Sequence, residues 1–253
     1  MNSEAWLAYF STNQRADTEI EGPCGVALAA ELRAEVAHSL ARFQLGEASG
    51  GRIAGEVETA RDAALDVPTR RAIQLYVLEE GRHARELYLL VRALGGQPLT
   101  QHWSSDWFRR VRRCLGLRTK LLTMAAVEVV GIVYYSALRD RVPCPTVRHA
   151  LGILAREEGR HLDFQAAWFQ RALERTPRAW RPFQAAGIAL RFGLILCAAI
   201  VSVLVDHRRV LRGLDVRGLD YVRGCVRTLG ERRAFFSGGA RRSPVDWATS
   251  EGR

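Results

Sequence analysis

Apolar residues recur along this chain at spacings of three and four, and the alternation typical of β-strands is almost absent. The pattern predicts an all-α protein built on four long helices. The first is predicted to begin after Pro23, to run through Phe43 and to continue to about Leu65, unless Gly50 and Gly51 break it. The other three are predicted at residues 69–94, 117–139 and 146–174.

A strongly apolar segment follows at residues 183–205. Its uninterrupted part, 192–205, is shorter than the ~20 residues that span a bilayer. A buried or interface helix is therefore the favoured interpretation, and contact with a membrane is left open. With a last helix at 216–236, four parts are expected: an N-terminal arm (1–25), a four-helix bundle (26–176), a helical appendage (177–236) and a flexible tail (237–253).

One pentapeptide, Glu-Glu-Gly-Arg-His, occurs twice, at residues 79–83 and 157–161. Each copy lies midway along a predicted helix, so its second glutamate and its histidine, three positions apart, share one helical face. A carboxylate and an imidazole placed in this way can bind one metal ion. A single pair of this kind arises easily by chance, whereas two copies on separate helices are a much stronger indication.

A di-metal site in a helical bundle also needs one glutamate from each of the other two helices. Glu47 precedes Glu80 by 33 residues and Glu128 precedes Glu158 by 30, spacings that suit two antiparallel hairpins. Glu128 stands alone in an apolar stretch, where burial of an unpaired carboxylate would be costly. Both glutamates are therefore candidate ligands.

On these motifs, residues 26–176 resemble the ferritin-like di-iron carboxylate superfamily, whose four helices carry Glu, Glu-x-x-His, Glu and Glu-x-x-His. The resemblance implies a ferritin-like antiparallel bundle holding two Fe ions, with Mn/Fe also open, and O2 as co-substrate. The implied metal ligands are Glu47, Glu80, His83, Glu128, Glu158 and His161.

The longer pattern around each histidine is similar to that of acyl-carrier-protein desaturases and bacterial multicomponent monooxygenases. By that likeness Glu79 would orient His161, and Glu157 would orient His83 across the bundle. Arg82 and Arg160 would balance charge. A solvated helix edge is the competing interpretation of these four residues.

Tyr76 and Tyr135 lie at helical spacing from Glu80 and Glu128 and are candidates for a redox or substrate role, although core packing explains them equally well. Phe43 and Ile132 are added as candidate pocket walls. His38, His102, His149 and His207 match no ligand spacing and are expected at the surface or in connections.

The expected function is an oxygen-dependent di-iron oxidoreductase that hydroxylates, desaturates or otherwise oxidises a hydrophobic or carrier-bound organic substrate. No four-cysteine electron-transfer module is present, so a separate ferredoxin or reductase is expected to supply electrons. Glu128-x-x-Gly131 lacks the extra glutamate of rubrerythrin-like peroxidases. A ferroxidase without organic substrate is the alternative, and a purely structural bundle the third.

The chain has a net charge of +10, and almost all of its positive side chains are arginines. This charge suits an acidic partner, although a GC-rich genome explains the abundance of arginine as well. An acidic carrier protein and an anionic membrane surface are both left open, as is a homodimer. No compact nucleic-acid-binding motif is present. The absence of CxxC and of a signal-peptide pattern predicts a cytoplasmic protein, with membrane association through residues 183–205 left open.

Overall fold

The computed structural model describes residues 3–14, 20, 28–48, 51–103, 106, 110 and 115–231. These residues are helical or in connections and contain no strand, so the all-α prediction is confirmed. The predicted flexible tail at 237–253 and the end of the last predicted helix lie outside the described residues.

Nine α-helices can be followed through the described residues. They are α1 (Ser3–Asn13), α2 (Ala30–Glu47), α3 (Gly51–Thr59), α4 (Val67–Ala93), α5 (Leu117–Arg141), α6 (Pro145–Glu174), α7 (Arg181–Asp206), α8 (Arg208–Gly213) and α9 (Gly218–Glu231). A short 3₁₀ turn at Arg178–Trp180 precedes α7.

Local signals explain where α4 begins and ends. The Asp66 carboxylate accepts the Thr69 amide and caps the helix, and Pro68 occupies the first turn. Gly95 follows the helix with a φ of +80°, a conformation that glycine adopts without strain. The first predicted helix, by contrast, is two helices, because α2 ends at Glu47 and α3 begins at Gly51.

The four long helices α2, α4, α5 and α6 pack around one core, with α2 against α4, α5 against α6 and α4 against α6. Helix α5 is apolar nearly all round because α6 covers one side while α7 and α9 cover another. Lys120 of α5 pairs with Glu56 of α3, and Arg118 of α5 pairs with Asp62 in the connection that follows α3.

The N-terminal arm contains a helix that the sequence pattern did not predict. Helix α1 packs on α4 and buries Trp6 and Phe10. The Trp6 ring lies 5.5 Å from Phe164, and the Phe10 ring lies 5.9 Å from His161, measured between centroids. This first helix therefore covers part of the bundle at the level of the repeated motifs.

Within the described part of the chain, two helical segments, Leu117–Arg141 and Arg178–Asp206, are long and apolar enough to cross a membrane by length and composition. The apolar window of the first is 72% buried within the protein, as expected of a core helix, whereas that of the second is 33% buried.

Cys144, at the start of α6, is disulfide-bonded. A reducing compartment does not favour disulfides, so the cytoplasmic location stays a prediction.

Candidate metal centre

The repeated motifs meet in the interior between α4 and α6. Glu80, His83, Glu158 and His161 are all buried and each offers a ligand atom within 4.8 Å of the others. The two imidazole rings stack with their centroids 5.2 Å apart. His83 Nδ1 lies 3.1 Å from Glu158 Oε1, and His161 Nδ1 lies 2.8 Å from Glu80 Oε1. These four side chains can hold a metal ion.

The other ring nitrogen of each histidine faces the first glutamate of the opposite motif. His83 Nε2 lies 2.9 Å from Glu157 Oε2, within hydrogen-bond distance. His161 Nε2 lies 3.4 Å from Glu79 Oε1, a longer separation. Each ring thus has one nitrogen toward the cluster and the other toward an outer carboxylate, which is the usual arrangement of metal-binding histidines.

Arg82 lies between the two outer carboxylates. Its Nη2 is 2.8 Å from Glu157 Oε2 and 3.2 Å from Glu79 Oε1, while its Nη1 donates to the carbonyl of Asn13. The Asn13 side chain donates to both glutamates, at 2.5 Å to Glu79 and 3.1 Å to Glu157. Helix α1 therefore closes the outer side of the cluster.

Glu128 of α5 lies on the tyrosine side of the cluster. Tyr76 Oη donates to Glu128 Oε1 at 2.5 Å, and Gln165 Nε2 donates to the same oxygen at 2.6 Å. The second oxygen, Oε2, is buried and has no hydrogen-bond partner among the described residues. A buried carboxylate oxygen without a partner is the group that a bound cation would satisfy.

Glu47, the last residue of α2, is half-buried and accepts a hydrogen bond from Tyr135 Oη at 3.0 Å. Burial raises the pKa of Glu47 well above its ordinary value, and the negative charges of Glu158 and Glu80 raise it further. Of the six predicted ligands, Glu80, His83, Glu158 and His161 lie within ligand distance of one another, whereas Glu47 and Glu128 lie beside this group.

The charge balance of the described site favours a cation. The glutamates around the site outnumber the arginines that contact them. Arg82 is the arginine in direct contact with the outer carboxylates, Glu79 and Glu157. Although burial opposes the charged imidazolium, hydrogen bonds to Glu157 and Glu158 raise the pKa of His83 well above its ordinary value. Although burial opposes the charged carboxylate, hydrogen bonds with His161 and His83 lower the pKa of Glu158 to about 2. A metal ion would displace the proton that His83 holds and would supply the same positive charge.

The remaining predicted residues are placed as follows. Arg160 is partly exposed, with Nη1 4.0 Å from Asp163 Oδ2. Phe43 is buried against Tyr135, with the centroids 5.3 Å apart, and Ile132 packs against the core. A cavity of about 320 Å³ lies elsewhere, between the start of α2 and the turn at residues 94–99.

Sequence reasoning missed two polar residues of the site. Asn13 and Gln165 contact the site glutamates, but an isolated amide has no spacing that marks it. His207 lies in the connection between α7 and α8, one of the two places expected for it, but its side chain is buried, with Nδ1 2.6 Å from Ser39 Oγ. Ser39 also hydrogen-bonds to Tyr134, and the Phe43 ring stacks on Tyr134. The chain after α7 therefore turns inward rather than remaining at the surface.

The chain has no match among protein-family models and no significant match among curated proteins or solved structures. The likeness to ferritin-like di-iron proteins accordingly rests on the repeated motifs and on the geometry of the cluster. Together they establish a helical protein with a buried carboxylate and histidine cluster that is compatible with a di-iron site.

Proposed function

We propose that this protein is a non-haem di-iron oxidoreductase with a ferritin-like bundle that oxidises an organic substrate with O2. The observation that carries the proposal is the buried cluster of Glu80, His83, Glu158 and His161, with the Glu47 and Glu128 carboxylates beside it. Carboxylate oxygens combined with imidazole suit Fe or Mn. Two bound ferrous ions would supply two of the four electrons that reduce O2, the organic substrate would supply the other two, and an external donor would reduce the ions again.

The surrounding residues have supporting roles. Glu157 lies within hydrogen-bond distance of the outer nitrogen of His83, so it would fix that ring with its other nitrogen toward the cluster. Arg82 and Asn13 hold Glu157 and Glu79 in place from outside. Tyr76 and Gln165 donate to one oxygen of Glu128 and leave the other for a metal. Burial of the whole cluster keeps bulk water away.

The substrate class is inferred from the side chains near the carboxylates. Phe43 and Tyr135 are buried aromatic residues, and Tyr135 donates directly to Glu47, so the surroundings favour a hydrophobic or carrier-bound molecule. Electrons would come from a separate ferredoxin or reductase. The net charge of +10 suits an acidic donor or carrier protein, through complementary charge.

Metal analysis tests the central proposal. Protein purified after iron-replete expression is expected to contain about two Fe per chain, and His83→Ala or His161→Ala should lose most of it. The matched control is His149→Ala, since His149 is exposed on the same helix as His161. Absence of stoichiometric transition metal in the parent protein, or full retention in both histidine variants, would overturn the proposal.

A second experiment separates the oxidoreductase from the ferroxidase alternative. Protein loaded anaerobically with Fe²⁺ is exposed to O2, and small molecules that co-purify with it are compared by mass spectrometry before and after. A molecule that gains oxygen or loses two hydrogens supports an organic substrate. Accumulation of many Fe³⁺ per chain with no change in any organic molecule supports ferroxidase activity instead.

A further inference from the structure

Helix α7 has a continuous apolar face that the rest of the described protein does not cover. Its large exposed side chains are Phe183, Leu190, Leu194, Val201 and Val205, each more than half exposed. Their positions differ by 7, 4, 7 and 4 residues, which places them along one side of the helix. At ~1.5 Å per residue the stripe is about 33 Å long.

The opposite side of α7 is fixed to the protein. Ile188, Phe192, Leu196 and Val203 are buried, and the helix packs mainly on α5. A spanning helix in lipid would expose its whole circumference or pack against other membrane helices, whereas this one is seated on a bundle with buried carboxylates. The geometry therefore fits a helix that lies along a surface rather than one that crosses it.

The charges around this stripe are predominantly positive. Residues 178–231 hold nine arginines and four carboxylates. Arg178 is exposed just before α7, and Arg208, Arg209 and Arg212 are exposed just after it. Arg191 is the one charged side chain exposed within the helix. An apolar stripe bordered by arginines matches a bilayer whose headgroups are anionic.

Trp180 adds to this match. It lies directly before α7, is 66% exposed, and has its ring 6.0 Å from that of Phe183. Tryptophan favours the boundary between headgroups and acyl chains, because its ring is apolar and its indole N–H can still reach water. Both aromatic rings lie at the end of the stripe that adjoins the exposed Arg178.

A second copy of this chain fits the stripe less well. Two-fold pairing of antiparallel α7 helices would bring Arg178 of one copy toward Arg208 of the other. Each copy also carries a net charge of +10. Like charges would therefore oppose the apolar attraction at both ends of the interface, whereas anionic lipids would be attracted by the same arginines.

We propose that α7 docks the protein on an anionic membrane surface, with the helix axis parallel to the bilayer and the stripe from Phe183 to Val205 inserted at the level of the headgroups. Apolar insertion and arginine–headgroup attraction act together, so binding should need both. The bundle and its carboxylate cluster then remain on the aqueous side.

Vesicle flotation with the full chain tests the proposal. The protein should float with phosphatidylcholine vesicles that contain about 30% phosphatidylglycerol, and bind at least about tenfold more weakly to phosphatidylcholine alone. Leu190→Gln/Leu194→Gln should abolish flotation while the thermal unfolding curve stays cooperative. The control Leu78→Gln changes an exposed leucine on α4 and should float like the parent protein.

A second measurement reports on the orientation of the helix. Cys197 is a free, exposed cysteine on α7, and an environment-sensitive dye attached to it should shift to the blue when anionic vesicles are added. Equal binding to both vesicle types, equal flotation of the double variant, or an unshifted dye would overturn the proposal. So would a dimer in sedimentation that the double variant dissociates. None of these outcomes depends on metal content, so the metal proposal would stand independently.

Discussion

Asn13 and Glu79 are joined by a hydrogen bond across 66 positions of the chain, with Nδ2 2.5 Å from Oε1. The same amide donates to Glu157, so one side chain from α1 restrains the outer glutamates of both motifs. Those glutamates face the outer nitrogens of His83 and His161. Asn13 is therefore a positioning residue for the cluster, although it belongs to neither motif.

Asn13→Ala is expected to lower Fe²⁺ affinity, but by less than the about tenfold to hundredfold loss that follows removal of a carboxylate bonded directly to a ligand histidine, because Asn13 acts on that carboxylate and not on the histidine. Anaerobic titration with a competing chelator measures the change. Thr12→Ala, at the exposed neighbouring position, is the control and should bind as the parent does. Unchanged affinity in Asn13→Ala, with the fold intact, would show that α1 does not act on the site.

Glu128→Gln is expected to make the metal-free protein more stable and to weaken metal binding. Burial raises the pKa of the Glu128 carboxyl, which shows that its charged form is unfavourable there without a cation. A neutral amide removes that unfavourable charge and also removes a ligand. Chemical denaturation of metal-free protein and metal titration give the two quantities.

Higher stability of the metal-free protein combined with weaker metal binding is expected of Glu128→Gln only if the carboxylate is retained in order to bind a ligand. Glu31→Gln replaces an exposed glutamate on α2 and should change neither quantity. A purely structural bundle predicts instead that Glu128→Gln leaves metal content unaffected.

His207 should make the stability of the protein depend on pH. Burial lowers its pKa to about 3, and the positive charges of Arg42, His102 and His38 act in the same direction. The unfolded chain, with an ordinary histidine pKa of about 6.5, therefore takes up a proton first as the pH falls. Its contribution to the unfolding free energy is full above pH 6.5 and declines by about 1.4 kcal/mol per pH unit toward pH 3.

Denaturation of the parent protein and of His207→Gln between pH 7 and pH 4 measures this contribution as a difference, so that other titrating groups cancel. The stability advantage of the parent should shrink by about 3 kcal/mol between pH 6.5 and pH 4. His149→Gln, which alters an exposed histidine, should follow the parent at every pH. A constant difference for His207→Gln would contradict the prediction.

Gly224→Ala is expected to destabilise the contact between α9 and α5. A Cβ at this position would lie 2.8 Å from Val133 Cγ1, so the valine side chain or one of the two helices must shift, at a cost of about 1–3 kcal/mol. Gly230→Ala, on the same helix with open space around it, should instead be neutral or stabilising by up to about 1 kcal/mol. Adding Val133→Ala should relieve the Gly224→Ala defect, and thermal unfolding checks all three.

The sequence predicted the long helices well because their limits depend on local chemistry. Asp66 caps α4 and Gly95 ends it, and both act within a few residues. The break between α2 and α3 was left open, since two consecutive glycines are tolerated in a helix or end it according to what packs around them. Helix α1 was not predicted, because its stability depends on contacts such as Trp6 with Phe164, far away along the chain.

The candidate site was predictable to the extent that it repeats. Glu80 and His161 could be paired because each belongs to a recurring motif with helical spacing. Gln165 could not be found in this way, since its part is defined by its distance from Tyr76 and Glu128, which only the folded chain fixes. The exposed apolar face of α7 was likewise undecided, because the same composition suits a core helix such as α5.

The cluster joins residues that lie as far apart as Glu80 and His161, so its ligand atoms are assembled only in the folded chain. Any ion that binds there stabilises the native state by mass action, with a free energy that grows with the logarithm of its concentration. Proteolysis in a cell acts mainly on unfolded molecules. The cellular lifetime of this protein is therefore expected to follow the supply of its metal, and scarcity of that metal would lower its abundance before any change in its synthesis.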